Sequence, residues 1–82
     1  FQRKVLIIGT DKTAKMVAVQ LEMDDSHGFE VVGFVDDGTK KNERIFEDLK
    51  VLGKTNQIKS LVKKYQVEEI IIAQSEITHQ QL

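Results

Sequence analysis

Apolar residues along this chain form short runs whose spacing alternates between that of strands and that of helices. Residues 5–8 are apolar at every position, and residues 67–73 contain the continuous run Ile70, Ile71 and Ile72. Such runs favour strands buried on both faces, as in a parallel sheet. Residues 29–35 are β-branched and aromatic enough for another strand, and Val51 and Leu52 predict a brief strand at the edge of the sheet.

Two further segments have the apolar spacing of amphipathic helices, at positions i, i+3, i+4 and i+7. The first set is Ala14, Val17, Ala18 and Leu21, and the second is Ile58, Leu61, Val62 and Tyr65. Thr55 is predicted to cap the second helix. Residues 39–48 are charged and lack a clear period, so we interpret them as a loop, and residues 75–82 resemble the opening of another helix with Ser75 or Thr78 as its cap.

The predicted order is strand, helix, strand, short strand, helix, strand. Right-handed crossovers then give a parallel sheet, so the fold class is α/β, a half Rossmann-like domain with about four strands. The expected order across the sheet is third, second, first, fourth, with the first strand central. Ligands should bind at the carboxyl ends of the strands, next to Gly9, Asp36 and Ala73.

The composition of the chain excludes or disfavours several classes of function. The 82 residues fit one small domain, and a net charge of −1 makes nucleic acid an unfavoured partner. The chain has no Cys, which excludes disulfides and thiolate metal sites, and no apolar run approaches the ~20 residues of a membrane helix. Because it starts at Phe1 without an initiator Met, we expect residues 1–82 to be a soluble domain excised from a longer protein.

The turn after the first strand is the main candidate for binding phosphate. Gly9 allows a sharp turn into a helix whose first amides favour an anion, and Ala14 lets that helix pack closely on the strand. Asp11, however, stands where a dinucleotide-binding loop ordinarily has its second glycine, and it places negative charge near a phosphate. Either Asp11 caps the helix and fills the anion site internally, or Lys12 and Thr13 compensate by binding the phosphate themselves.

Asp36 and Asp37 close the second strand, where a carboxylate can accept hydrogen bonds from a ribose diol. Asp36 lies further from Gly9 than the ~20 residues usual for such an acidic residue. The alternative is that Asp36, Asp37 and Gly38 simply form a turn.

Other residues give weaker indications of chemistry. His27 and His79 have no second His or Cys at ligand spacing, so the prediction is no metal site. Tyr65 is interpreted as a core residue, since Glu69 replaces the Lys of a Tyr-x-x-x-Lys pair. No Ser, His and Asp set appears at catalytic spacing, so no residue is predicted to be catalytic.

Three segments together carry a family resemblance: KVLIIGTDKTA, FEVVGFVDDG and LKVLGKTNQIKSLVKKYQVEEIIIA. In this order and spacing they resemble the Rossmann-like "CoA-binding-like" domain of bacterial polysaccharide biosynthesis proteins. In that family the domain follows membrane helices. It precedes either an NDP-sugar dehydratase or epimerase domain, or a polyprenyl-phosphate sugar phosphotransferase domain. The resemblance covers nearly the whole chain.

The resemblance implies a membrane-anchored parent enzyme of capsule or exopolysaccharide synthesis, with this domain on the cytoplasmic face of the bacterial inner membrane. It implies a non-catalytic binding or regulatory role, with NAD(P), CoA or a nucleotide sugar as ligand. Gly9, Thr10, Lys12 and Thr13 would then surround the phosphates, beside Asp11, and Asp36 would meet the ribose, beside Asp37.

Two alternatives of another class stay open. One is a scaffold or dimerisation module that binds no small molecule and links membrane and catalytic domains. The other is a ligand-gated regulatory domain of an ion transport system, which the short Val51, Leu52, Gly53 link fits less well.

Overall fold

The computed structural model describes residues 2–23 and 28–73. Its elements are β1 (Arg3–Ile8), α1 (Lys12–Met23), β2 (Phe29–Val35), β3 (Arg44–Phe46), β4 (Leu49–Gly53), a 3₁₀ turn (Thr55–Gln57), α2 (Ile58–Tyr65) and β5 (Glu69–Ile72). The predicted alternation of strands and helices is confirmed, with β3 added. The helix predicted within residues 75–82 lies outside the described residues.

The strands form one mostly parallel sheet with the order β3-β4-β2-β1-β5. The predicted order of third, second, first, fourth corresponds to β4-β2-β1-β5 and is confirmed for those strands, whose pairs are all parallel. The predicted edge position of the short strand is wrong, because β3 pairs antiparallel with β4 on its outer side.

The loop prediction for residues 39–48 is therefore wrong in part. Glu47 adopts the left-handed conformation, with φ of 53°, and lets the chain reverse so that Phe46 pairs with Leu49. Ile45 and Phe46 pack against the core on the α1 side of the sheet. Two apolar residues in a charged segment are too few to show a strand period, which is why the sequence pattern missed β3.

The two helices cover opposite faces of the sheet. Ala14 and Ala18 of α1 are fully buried against Val5 and Ile7, in the larger of two apolar clusters. On the other face, Leu61 of α2 packs in a smaller cluster with residues of β1, β2 and β4. The result is a three-layer α/β/α arrangement, compatible with a half Rossmann-like domain.

Burial of β5 differs from the expectation for a continuous apolar run. Ile70 and Ile72 pair with Leu6 and Ile8 of β1 and so face the α2 side, yet they are 44% and 72% exposed. The prediction of a buried run is thus wrong for these two, while Ile71 is partly buried in the α1-side cluster. The reason is that α2 packs over β1, β2 and β4, and among the described residues β5 has a strand on one side only.

Gly33 lies at an irregularity in the central pairing. Val5 pairs with Val31 but Leu6 pairs with Gly33, so Val32 is an extra residue in β2. This bulge places Phe34 in the α1-side cluster and Val35 in the α2-side cluster. A Cβ on Gly33 would lie 2.7 Å from Cγ of Leu52, which leaves no room for a side chain.

Gly33→Ala should destabilise the fold by about 1 to 3 kcal/mol, because the added methyl overpacks the contact between β2 and β4. Denaturant unfolding followed by circular dichroism measures this. Gly38→Ala is the matched control, since its Cβ would meet only Asp36 Oδ2 at 3.7 Å, and its cost should stay within about 0.5 kcal/mol. Equal effects of the two substitutions would contradict a steric role for Gly33.

Candidate functional site

The carboxyl ends of the strands meet at one edge of the sheet. Three backbone hydrogen bonds continue the pairing past the strands: Gly9 N to Val35 O at 2.8 Å, Asp36 N to Gly53 O at 3.1 Å, and Ala73 N to Ile8 O at 2.9 Å. Loops from β1, β2 and β4 therefore start at the same level. We call this part of the molecule the carboxyl edge, meaning residues 9–13, 36–39 and 53–55.

The turn after β1 has the geometry that the glycine signal indicates. Gly9 has a φ of 117°, which L side chains rarely adopt, and the chain enters α1 shortly afterwards. Asp11 Oδ1 accepts a hydrogen bond of 3.2 Å from the amide of Ala14, as a helix cap does. Asp11 thus caps α1, whereas it stays a prediction whether its carboxylate fills the anion site or Lys12 and Thr13 bind a phosphate there.

The first amides of α1 remain for an anion. Lys12 and Thr13 occupy the first two helical positions, whose N–H groups have no carbonyl partner within a helix. Within residues 2–23 and 28–73, no group accepts a hydrogen bond from either amide or from the Thr13 hydroxyl. The side chain of Lys12 is exposed beside them.

A hydroxyl relay joins the first turn to the loop after β2. Thr39 Oγ1 donates to Asp36 Oδ2 at 2.7 Å and lies 3.2 Å from Thr10 Oγ1. Because a hydroxyl has one proton, Thr10 must donate to Thr39, and its own proton is then engaged. The amide of Gly38 donates to the same Asp36 oxygen at 3.1 Å, so the turn predicted at residues 36–38 is confirmed.

Asp37 faces a different loop from Asp36. Its Oδ1 accepts from the amide of Thr55 at 2.8 Å, and the Thr55 hydroxyl lies 3.1 Å from Oδ1 and 2.9 Å from Oδ2. Lys54 Nζ donates to the Asp37 carbonyl at 3.1 Å. The amide and then the hydroxyl of Thr55 lower the pKa of Asp37, desolvation opposes them in part, and the charge of Lys54 adds to the lowering.

The prediction that Thr55 caps α2 is wrong. Thr55 is the first residue of the 3₁₀ turn that leads into α2, and its hydroxyl binds Asp37. The side chain of Gln57 accepts from the amide of Lys54 at 2.8 Å instead. The Asp37 carboxylate, at the end of β2, therefore caps this turn in place of a neighbouring residue. The helix pattern in the sequence does not indicate so distant a partner.

The structure brings Gly9, Thr10 and Asp36 into one connected group, with Asp11, Lys12 and Thr13 at the adjacent helix start. Asp37 turns away toward α2. Sequence reasoning missed Thr39, Lys54 and Thr55 as members of the carboxyl edge. The spacing of Asp36 and Thr39, three residues apart across a turn, is a signal that would have indicated Thr39.

The described residues contain no group of three His, Cys, Asp or Glu side chains placed to hold a metal, and no buried polar or charged side chain. Tyr65 packs in the α2-side cluster, so its interpretation as a core residue is confirmed. His27 and His79 lie outside the described residues. Among the helices that the structure describes, none has the length and apolar character to cross a membrane.

Comparison with models of known families assigns the chain to a domain family. A family model described as a CoA-binding domain matches residues 2–76. The chain belongs to this CoA-binding domain family. No curated protein matches it. The matched span includes every element of the sheet and the whole carboxyl edge, so the family assignment and the α/β fold agree.

The Asp37→Asn variant should be less stable than wild type at neutral pH, since it loses the charge that Thr55 stabilises. A lowered pKa in the folded state stabilises the fold only while the carboxylate is ionised. The stability difference between wild type and Asp37→Asn should be largest above the pKa of about 4 that Asp37 has in the unfolded chain. It should disappear as the pH falls through the lower pKa that Asp37 has in the folded state.

Thermal unfolding of both proteins from about pH 2 to about pH 7 measures this difference, a range that spans a carboxylate titration. Asp48→Asn is the control, because Asp48 is exposed and no hydrogen bond to a described residue is seen for it. A gap between Asp37→Asn and wild type that is constant over the whole pH range would contradict the role of the Asp37 charge.

Proposed function

We propose that this domain binds a nucleotide-type small molecule at its carboxyl edge without catalysing a reaction. The ligand classes are CoA, NAD(P) and nucleotide sugars, all of which combine a pyrophosphate with a ribose. The observation that carries the proposal is the family match over residues 2–76. The position of Gly9, at the end of the interior strand β1 and shortly before α1, supports it.

The phosphates would lie at the start of α1. The amides of Lys12 and Thr13, the Thr13 hydroxyl and the Lys12 ammonium supply donors there, and the helix dipole favours an anion by about 0.3 to 1 kcal/mol. Thr10 would contribute its backbone, because its hydroxyl proton already binds Thr39. Thr13 is therefore the better candidate for a hydroxyl donor to phosphate.

Asp11 opposes a phosphate at this place. Two like charges about 4 Å apart repel by roughly 4 kcal/mol at an effective dielectric of 20, before screening. The cap to Ala14 keeps the Asp11 carboxylate at the helix start. We therefore expect modest affinity, limited by this charge.

The ribose would meet Asp36 rather than Asp37. Asp36 uses Oδ2 for Gly38 and Thr39, and its Oδ1 has no hydrogen bond to a described residue. Asp37 uses both oxygens for Thr55. Asp36 Oδ1 is therefore the one oxygen of these two carboxylates that accepts no hydrogen bond within the described residues, and this makes Asp36 the better acceptor for a ribose hydroxyl.

The parent protein is proposed to be a bacterial capsule or exopolysaccharide enzyme, either a sugar dehydratase or epimerase or a sugar-phosphate transferase. The domain would lie on the cytoplasmic face of the inner membrane in that protein. This part of the proposal rests on the resemblance of the three segments around Gly9, Asp36 and Gly53 to domains of such enzymes.

A second candidate function is a scaffold that binds no small molecule. The observation that favours it is that Asp11, Asp36 and Asp37 each accept hydrogen bonds from the domain itself. A carboxyl edge stabilised in this way needs no ligand to complete it.

Titration calorimetry against CoA, NAD, NADP and a UDP-sugar tests the proposal. At least one ligand should bind with a dissociation constant of millimolar or below, and Asp36→Asn should weaken it about tenfold by loss of a charge-assisted hydrogen bond. Asp37→Asn is the matched control, with affinity expected within about twofold of wild type. Silence of all four ligands at millimolar concentration would favour the scaffold function.

Removal of the Asp11 charge should raise affinity for the same ligands. Asp11→Asn keeps a side chain that caps helices equally well, so the cap to Ala14 should be retained while the repulsion of phosphate is lost. We expect affinity to rise about tenfold or more in low salt, measured by the same calorimetry. Unchanged affinity in this variant would show that no phosphate lies near Asp11.

A further inference from the structure

Helix α1 has a second apolar stripe that does not face the sheet. Met16, Val19 and Met23 are spaced i, i+3 and i+7, on the side of α1 away from the buried Ala14 and Ala18. Met16 is 57% exposed, Met23 is 77% exposed, and Val19 is half-buried. We call Met16, Val19 and Met23 the outer stripe of α1.

A shallow, open depression of about 290 Å³ lies along part of the outer stripe, lined by Lys15, Met16, Val19 and Gln20. Two flexible thioether side chains beside a depression can fit the side chains of a partner helix by changing rotamer. Exposed apolar groups that are contiguous and bordered by charges are typical of interaction sites.

We propose that the outer stripe binds the outer stripe of a second copy of this chain, with the two α1 helices antiparallel about a two-fold axis near Val19. In this pairing Met16 of each copy lies against Met23 of the other, because both are three or four residues from the axis. The contact is isologous, so one patch serves both partners and the assembly closes at two.

Charge complementarity is the reason for a second copy as the partner. Lys15 and Glu22 are both exposed and lie two helical turns apart on the same flank of the outer stripe. In an antiparallel pair about a two-fold axis, that flank faces the same flank of the other copy. Lys15 then lies opposite Glu22 of the second copy, and symmetry repeats the pair.

A parallel arrangement would lack this match. Its two-fold axis runs along the helices, so the flank of Lys15 and Glu22 would face the opposite flank of the other copy, where the uncharged Thr13 and Gln20 lie. The pattern of charges thus favours the antiparallel orientation.

The outer stripe is small compared with the interfaces of about 1,200 Å² or more that hold stable dimers. It consists of three apolar side chains on one helix, flanked by one pair of opposite charges. We therefore expect a weak dimer, with a dissociation constant on the order of 0.1 mM.

Sedimentation equilibrium of the 82-residue chain from about 10 µM to about 1 mM tests the proposal, a range set around that constant. Wild type should form dimers. Lys15→Glu and Glu22→Lys should each weaken self-association about tenfold or more, because each places like charges opposite one another twice. The double variant Lys15→Glu/Glu22→Lys should dimerise again, since both pairs are restored with exchanged signs.

An equimolar mixture of the two single variants is the most specific measurement. At one end of the interface, the carboxylate introduced by Lys15→Glu lies opposite the ammonium introduced by Glu22→Lys. At the other end, Glu22 of the Lys15→Glu variant lies opposite Lys15 of the Glu22→Lys variant, and both of these residues are unchanged. The mixture should therefore form heterodimers although each variant alone associates weakly. Circular dichroism of each variant shows whether the helix content is unchanged.

Two further variants serve as controls. Lys59→Glu makes the same charge reversal on the exposed face of α2 and should leave association unchanged. Ile72→Ser alters the exposed apolar site on β5 and should also leave it unchanged. Monomeric wild type at the highest concentration, a mixture without heterodimers, or loss of the dimer in Ile72→Ser rather than in the α1 variants would each overturn the proposal.

Discussion

The burial of β1 on both faces is the constraint on which the rest of the structure depends. Val5 and Ile7 fill the core on one side of the sheet and Leu6 fills it on the other, all at 0% exposure. Burial of both faces requires a covering layer on each side of the sheet, which α1 and α2 supply. The backbone groups of such a strand have no access to water, and they are paired with β2 on one edge and β5 on the other. Gly9, at the end of β1, therefore lies between the ends of β2 and β5.

The carboxyl edge is held together by its own polar groups. The chain from Thr10 through Thr39 to Asp36 joins the loops after β1 and β2, and Asp37 joins the latter to the start of α2 through Thr55. These contacts order the loops, which would lower the entropic cost of binding the proposed ligand. They also occupy donors and acceptors that a nucleotide would use, which would lower its affinity.

Much of this arrangement was predictable because it depends on residues close in sequence. Consecutive apolar positions in β1, the stripe spacing of α1 and α2, and the glycine at the end of β1 require no knowledge of distant contacts. The cap of α1 by Asp11 and the turn at Asp36 are local hydrogen bonds over two or three residues. Every described element except β3 and the 3₁₀ turn follows from these signals, as does the order of β4, β2, β1 and β5 across the sheet.

Only the tertiary structure decided the contacts between segments distant in sequence, because no pattern in the sequence indicates that these segments meet. The hairpin of β3 and β4, the bulge at Gly33 against Leu52, and the bonds from Asp37 to Thr55 and from Thr10 to Thr39 are of this kind. The tertiary structure also decided which apolar residues are exposed, since the burial of such a residue depends on whether another element covers it. The sequence determined which segments are apolar and regular, and the packing of those segments determined which groups remain open to a partner.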